Sequence, residues 1–248
     1  MAEEKSQLIQ EVKAELASTG TLRAGINVQN FLLVTGKTEL GDPVGVAPDM
    51  AAEIARRLGV PVKLVPFKSP GELADAAEAG VWDIGLIGAE PQRAEKITFS
   101  PAYVEIEATY LVPGDSPIKS IADVDKKGVR IAVMGRAAYG LWLERNIKNA
   151  ELVRSDSLAS AADQFVRDKL EALAGLRPAL ISDSAKAPGG RILDGRFMAV
   201  QQAMGTQRRN VAAAAFLREF VEEVKTSGFV ASLIEKHKVR GLTVAPPS

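Results

Sequence analysis

Cysteine is absent from the 248 residues, and histidine occurs once. The first absence removes disulfides, zinc–thiolate sites, iron–sulfur clusters and thiol nucleophiles together. The second excludes a His-rich metal site and disfavours His-centred catalytic dyads. Net charge is also missing, since 31 Lys and Arg balance 31 Asp and Glu. A neutral chain lacks the electrostatic footprint of a nucleic-acid binder or of a polybasic membrane binder. No run of about 18 apolar residues occurs, so no membrane span is expected. No Lys-Ser/Thr follows Gly135 and Gly140, so a phosphate-binding loop is not formed there. What remains for chemistry is carboxylates, guanidinium groups, hydroxyls and backbone. That inventory leans toward binding, with no metal and no cofactor expected.

The N-terminus, MAEEKSQLIQEVKAELASTGTL, is acidic and polar. A secretory leader would begin basic and continue apolar. The expectation is a cytoplasmic protein as the chain stands, or a periplasmic one if a leader has been removed. Leu8, Ile9, Val12 and Leu16 recur at helical spacing and predict a short amphipathic helix ending before Gly20.

The remaining composition is globular, with 46% hydrophobic and 25% charged residues. Short β-rich runs alternate with helical ones. Strands are expected at 22–26, 62–67 and 83–87, with helices at 48–58 and 71–79 between them. This βαβαβ series predicts a parallel sheet covered by helices on both faces. Thr109 to Val112 leads into the turn-dense Pro113-Gly114-Asp115-Ser116-Pro117. The alternation then restarts, with strands at 130–133, 151–154 and 171–174 and helices at 138–148 and 160–168. A β-rich run at 197–201 precedes a long helical region over 211–237. The chain reads as two α/β lobes, residues 1–112 plus 198–248 and an inserted 113–197, joined by two crossover strands. Such proteins can close like a hinge on a ligand.

Certain phrases resemble a known family. GVAPDMAAEIARRLG, from Gly45 to Gly59, is similar to the Gly-Phe-x-x-Asp-Leu-Ala segment of family 3 extracellular solute-binding proteins. These are the substrate-binding components of polar amino-acid ABC transporters. DIGLIGAEPQRAEKITFSPAY, from Asp83 to Tyr103, resembles their Asp-Ile…Pro-Glu-Arg…Phe-Ser-x-Pro-Tyr signature. GVRIAVMGRAAYG resembles the opening of their second lobe. The resemblance spans about residues 20–240 and implies the two-lobed periplasmic binding protein fold, type II. The run Gly195-Arg196-Phe197-Met198-Ala199, followed by Gln201 to Thr206, resembles a branch of bacterial homologues that often lack an obvious leader.

The resemblance implies that Arg93 pairs with a ligand carboxylate. A planar fork of donors matches two carboxylate oxygens. The alternative is a surface arginine paired with Glu95. Gly88 and Glu90 stand where the family often has small hydroxyl residues. Glu90 could accept a ligand ammonium or hydroxyl, or neutralise Arg93. Gly135-Arg136-Ala137 replaces a Gly-Thr-Thr or Gly-Ser-Ala turn whose free N–H groups make an anion site. Arg136 would suit a ligand with additional negative charge, or would point to solvent. The aspartate that takes a ligand ammonium in amino-acid binders falls here at Leu176 or Arg177, and Asp183 is a poorer match. An anionic small molecule with no obligatory ammonium is therefore expected. Asn27, Gln29, Asn30 and Phe31 follow the first strand, where open α/β sheets receive ligands. Tyr103 is a weaker candidate, and Tyr139 and Trp142 read as a core stripe. Asp49 reads as a cap or orienting residue of its helix, and His237 as solvated.

Three functions fit this reading. The first is a solute-binding protein that closes on a carboxylate-bearing molecule, with an ABC transporter permease as partner. The second is an enzyme on the same fold resembling cyclohexadienyl dehydratase, with Glu90 as general acid. The third is a cytoplasmic ligand-sensing module. Free hinge motion favours a monomer.

Overall fold

The computed structural model describes residues 2–187 and 189–248. Helix α1 (Ala2–Leu16) opens the chain and leads to β1 (Leu22–Asn27), a small hairpin of β2 (Gly36–Lys37) and β3 (Pro43–Val44), and α2 (Val46–Leu58). Next come β4 (Val62–Phe67), α3 (Pro70–Asp75), β5 (Ile84–Gly88), α4 (Pro91–Ala94) and the 16-residue strand β6 (Ile97–Val112). The middle of the chain holds β7 (Arg130–Met134), α5 (Ala138–Asn146), β8 (Glu151–Ser155), α6 (Leu158–Arg167), β9 (Ala172–Leu176), α7 (Arg177–Asp183) and β10 (Arg191–Ile192). The chain ends with β11 (Met198–Gln207), α8 (Val211–Thr226), α9 (Phe229–Lys236) and β12 (Thr243–Val244).

These elements form two compact units, residues 1–105 with 201–248, and residues 106–200. The chain passes from one unit to the other within β6 and returns within β11.

In the first unit, β4, β1 and β5 run parallel, with Leu22 beside Val62 and Ile26 beside Leu86. β11 adds antiparallel to β5, with Gln202 beside Gly88. Apolar residues cover both faces of this sheet. On one face Met50, Ile54 and Leu58 of α2 meet Leu22, Ala24 and Ile26, joined by Val12 and Leu16 of α1 and by Phe220 and Val224 of α8. Leu73, Ala77 and Trp82 form a separate cluster with Ile87 and Ile97, and the Trp82 indole N–H donates to the Leu73 carbonyl at 3.1 Å. The i, i+4, i+8 spacing of Met50, Ile54 and Leu58 places all three on one helical face, which is why α2 docks there. The α2 entry is sharp. Gly45 adopts φ 153°, and a Cβ on it would lie 2.2 Å from the Leu33 carbonyl oxygen. Only glycine fits that approach.

In the second unit, β8, β7 and β9 run parallel, with Ala132 beside Val153 and Leu173, and the second half of β6 adds antiparallel to β9. Ala161, Ala162 and Phe165 of α6 pack with Leu111, Ala132, Leu173 and Leu180. Ser157 caps α6 reciprocally with Ser160. Trp142, Phe197 and Tyr110 form an aromatic row with ring centroids 5.4 and 4.6 Å apart.

The expected helical region over 211–237 is present as two helices, with Gly228 at a left-handed φ of 80° between them. One expectation needs correction. The β-rich run ending at Val112 begins 12 residues earlier than its last four residues suggest, at Ile97.

Candidate functional site

In the first unit, β1 and β5 are parallel neighbours, so Asn27 and Gly88 finish at the same edge. The segments after them, 28–31 and 89–93, lie where parallel sheets receive ligands. Asn27 Oδ1 accepts the Gln29 N–H at 3.2 Å, and Asn30 Oδ1 accepts the Leu32 N–H at 3.2 Å. These two side-chain turns shape the loop. Asn30 is buried, and the Phe31 ring is 43% exposed.

Arg93 sits on the one-turn helix α4 and is only 6% exposed. Its Nη1 donates to the Gly88 carbonyl at 2.8 Å, which fixes the guanidinium against the end of β5. That burial is unlike the solvated Glu95 partner considered from sequence. Pro91 starts α4, where a missing N–H costs nothing. Glu90 is the N-cap: its Oε2 accepts from the N–H groups of Gln92 at 2.9 Å and Arg93 at 3.4 Å. This use of Glu90 was not foreseen from sequence, although the proline one residue later marks a helix start. The Ala89 N–H is held by the Gln201 carbonyl of β11 at 2.7 Å.

Tyr103 does not join this group. Its side chain is fully buried in the core with Val104 and Met204, and burial pushes its hydroxyl well above the usual tyrosine range. Asp49 lies in the first turn of α2 but does not cap it. Its Oδ2 meets Lys236 Nζ and His237 Nε2, each at 2.7 Å. Burial opposes ionisation of Asp49, yet the bonds from Lys236 and His237 outweigh it and hold the carboxyl below its ordinary value. His237, expected in solvent, has a side chain only 8% exposed, because it returns from the end of α9 to α2.

In the second unit, β7 and β9 are parallel neighbours, so Gly135 and Leu176 reach the same edge. The Gly135 N–H donates to the Ser155 carbonyl at 2.9 Å. Arg136 follows, exposed, with a left-handed φ of 63°. Helix α5 then begins at Ala138 with no side-chain cap on its N–H groups. Arg177 opens α7 and is engaged within its own unit. Its Nε donates to Glu107 at 2.9 Å and its Nη2 to the Gly195 carbonyl. Arg196 approaches the same carboxylate at 3.8 Å. Glu107 was missed from sequence. The alternation Glu105-Ile106-Glu107 is the signal, since it puts two acids on one face of a strand. Tyr139 is buried with Ala138 and Leu141, as a core position should be, and Trp142 packs on Phe197. Asp183 is half-buried, and burial pushes its carboxyl above the ordinary value despite Lys186 at 3.6 Å.

The family profile of bacterial extracellular solute-binding proteins, family 3, matches residues 23–239. The chain belongs to that family. This solute-binding protein has the type II periplasmic binding protein fold, and solved structures match it across nearly its whole length. A P235GK mutant of ArgBP from T. maritima aligns with TM-score 0.72 and 24% identity, covering 94% of this chain and 100% of that one. The cysteine-binding protein of Campylobacter jejuni aligns with TM-score 0.73 and 18% identity over 92% of each. An ancestral amino-acid-binding protein, a precursor of cyclohexadienyl dehydratase, gives 0.71 and 24%, covering 90% and 97%. Among curated proteins no relative of the solute-binding protein is found. No described helix is long and apolar enough to cross a membrane.

Proposed function

We propose that the chain binds a small carboxylate-bearing solute for an ABC transporter, closing on it, and that Arg93 pairs with the carboxylate. The observation that carries this reading is an arginine only 6% exposed, whose guanidinium is braced by the Gly88 carbonyl at the carboxyl end of β5. A buried arginine keeps its charge, and its fork suits two carboxylate oxygens. Arg136 supports an additional anionic group on the ligand. Glu90 supports binding over dehydration, since the carboxylate that would act as general acid is committed to the α4 N–H groups.

The test is a thermal-shift screen of protein refolded to remove carried-over ligand, against amino acids, keto acids, hydroxy acids and dicarboxylates. A ligand at one hundred times its dissociation constant adds about 2.7 kcal/mol and moves the melting point by several degrees. Arg93→Lys keeps the charge and loses the fork, and should weaken the best carboxylate at least tenfold. An undiminished ligand shift in that variant would remove the assignment. A hit confined to solutes without a carboxylate would overturn the reading as a whole.

A further inference from the structure

After α9 the sequence reads Gly241-Leu242-Thr243-Val244-Ala245-Pro246-Pro247-Ser248, beyond residue 239, where the family match ends. Thr243 and Val244 are β-branched and suit a strand, and the two prolines that follow Ala245 have no N–H with which to continue one. The resulting β12 pairs antiparallel with β6, Thr243 beside Glu105 and Val244 beside Val104. The Ala245 N–H extends this ladder to the Tyr103 carbonyl at 3.1 Å. A second tie comes from α8. The Lys225 side chain is only 2% exposed, and its ammonium donates to the Pro246 carbonyl at 2.8 Å and meets Glu222 at 2.8 Å. An ammonium out of water needs such partners, and one of them is the segment after β12.

β6 is the strand by which the chain leaves the first unit, and the boundary falls between Glu105 and Ile106. β12 pairs as far as Glu105, and β9 pairs from Ala108 to Leu111. Ile106 and Glu107 therefore lie between those two ladders, where β6 keeps β11 as its neighbour. Glu105 is also held by Gln201, the residue at which β11 re-enters the first unit, whose Nε2 donates to Glu105 Oε1 at 3.0 Å. Thus β6, β11 and β12 meet at the last residue before the crossing.

Two-stranded ribbons twist more than wider sheets, and hinge motion is absorbed by a few residues. We propose that residues 243–248 are a brace on the outgoing crossover strand. They hold β6 to the first unit as far as Glu105 and confine hinge bending to Ile106 and Glu107. Without the brace, the bending stretch extends back toward Tyr103, and the ligand-free protein samples a wider range of arrangements. Closure on any solute then has to order more of the chain, and binding weakens. This inference concerns the motion and not the solute, so it goes beyond the carboxylate reading and does not depend on Arg93.

The experiment needs no solute. Because the chain has no cysteine, Ala52→Cys on α2 and Ala159→Cys on α6, both at exposed positions and one in each unit, accept a single pair of nitroxide labels. Pulsed electron resonance on the full chain, refolded to remove carried-over solute, reads the distribution of distances between the labels. Two variants loosen the brace. Ala245→Pro deletes the N–H that bonds Tyr103, and Lys225→Met deletes the ammonium that bonds Pro246 while keeping a buried stem of similar length. Each should widen the distribution roughly twofold while the protein still melts cooperatively. Val12→Ala, which loosens α1 in the core of the same unit, should lower the melting temperature without widening the distribution. Two results overturn the proposal: an unchanged distribution in the brace variants, or equal widening in Val12→Ala, which would make the C-terminal segment a general stabiliser of its unit. If one brace variant fails to fold, the other decides. The Arg93 reading is tested separately by its own solute screen, so either can fail alone.

Discussion

At Arg136 the backbone takes φ 63°, a conformation that glycine adopts freely and arginine does not. Substituting glycine should therefore stabilise the ligand-free protein by up to about 1 kcal/mol. The same substitution should weaken dicarboxylates more than monocarboxylates if the side chain adds anion recognition. Equal losses for both, together with a lower melting temperature, would make Arg136 a structural residue. Residue identities such as Arg93 were legible from a local motif. Partnerships formed across the chain were not. His237 meets Asp49 across a separation of 188 residues, and nothing around either one signals the other. Arg177 and Glu107 are 70 residues apart. Glu90 was legible as an acid beside Arg93, but glutamate is an unusual helix cap, so its local use was hidden.

Helix α2 concentrates several of these effects. Glu53 accepts from Arg56 at 2.7 Å and from Arg57 at 2.9 Å, and Arg57 continues to Glu223 of α8 and lies 4.7 Å from the Phe220 ring centroid. The Arg56 bond is the largest influence, and with Arg57 it outweighs the opposing effect of burial, holding the Glu53 carboxyl at about 2. A depressed carboxyl favours the folded state above its unfolded value and loses that advantage as pH falls. Wild type should therefore be more stable than Glu53→Gln at pH 7, by less than about 1 kcal/mol because its strongest partner, Arg56, is 71% exposed and screened by water. Denaturant titrations from pH 6 downward should show the two converging between about 4.5 and 2. At the start of the same helix, Gly45→Ala places a methyl group against the Leu33 carbonyl and should cost roughly 3 kcal/mol or more. An unchanged denaturation midpoint would contradict that geometry. Helices α1, α2, α5 and α6 and strands β1, β4, β5 and β7 to β9 were legible because their apolar spacing is regular, whereas β2, β3, β10, β12 and the one-turn α4 are too short to carry a period. β6 was legible only at its end, since Pro101, Glu105 and Glu107 break the β-rich pattern before it. The continuous helical pattern of the C-terminal region concealed a single left-handed glycine.

Across the whole molecule, the family was legible because its signature occupies contiguous stretches, GVAPDMAAEIARRLG and DIGLIGAEPQRAEKITFSPAY. The profile match over residues 23–239 and the solved relatives agree with that reading. The two units carry one tryptophan each. Trp82 is fully buried in the first unit, and Trp142 is half-buried against Phe197 in the second. With only two in the chain, Trp142→Phe leaves an emission signal from the first unit alone, and Trp82→Phe leaves one from the second. The molecule therefore carries a built-in pair of optical probes, and its two halves can be followed separately through melting, refolding and ligand addition without any attached dye.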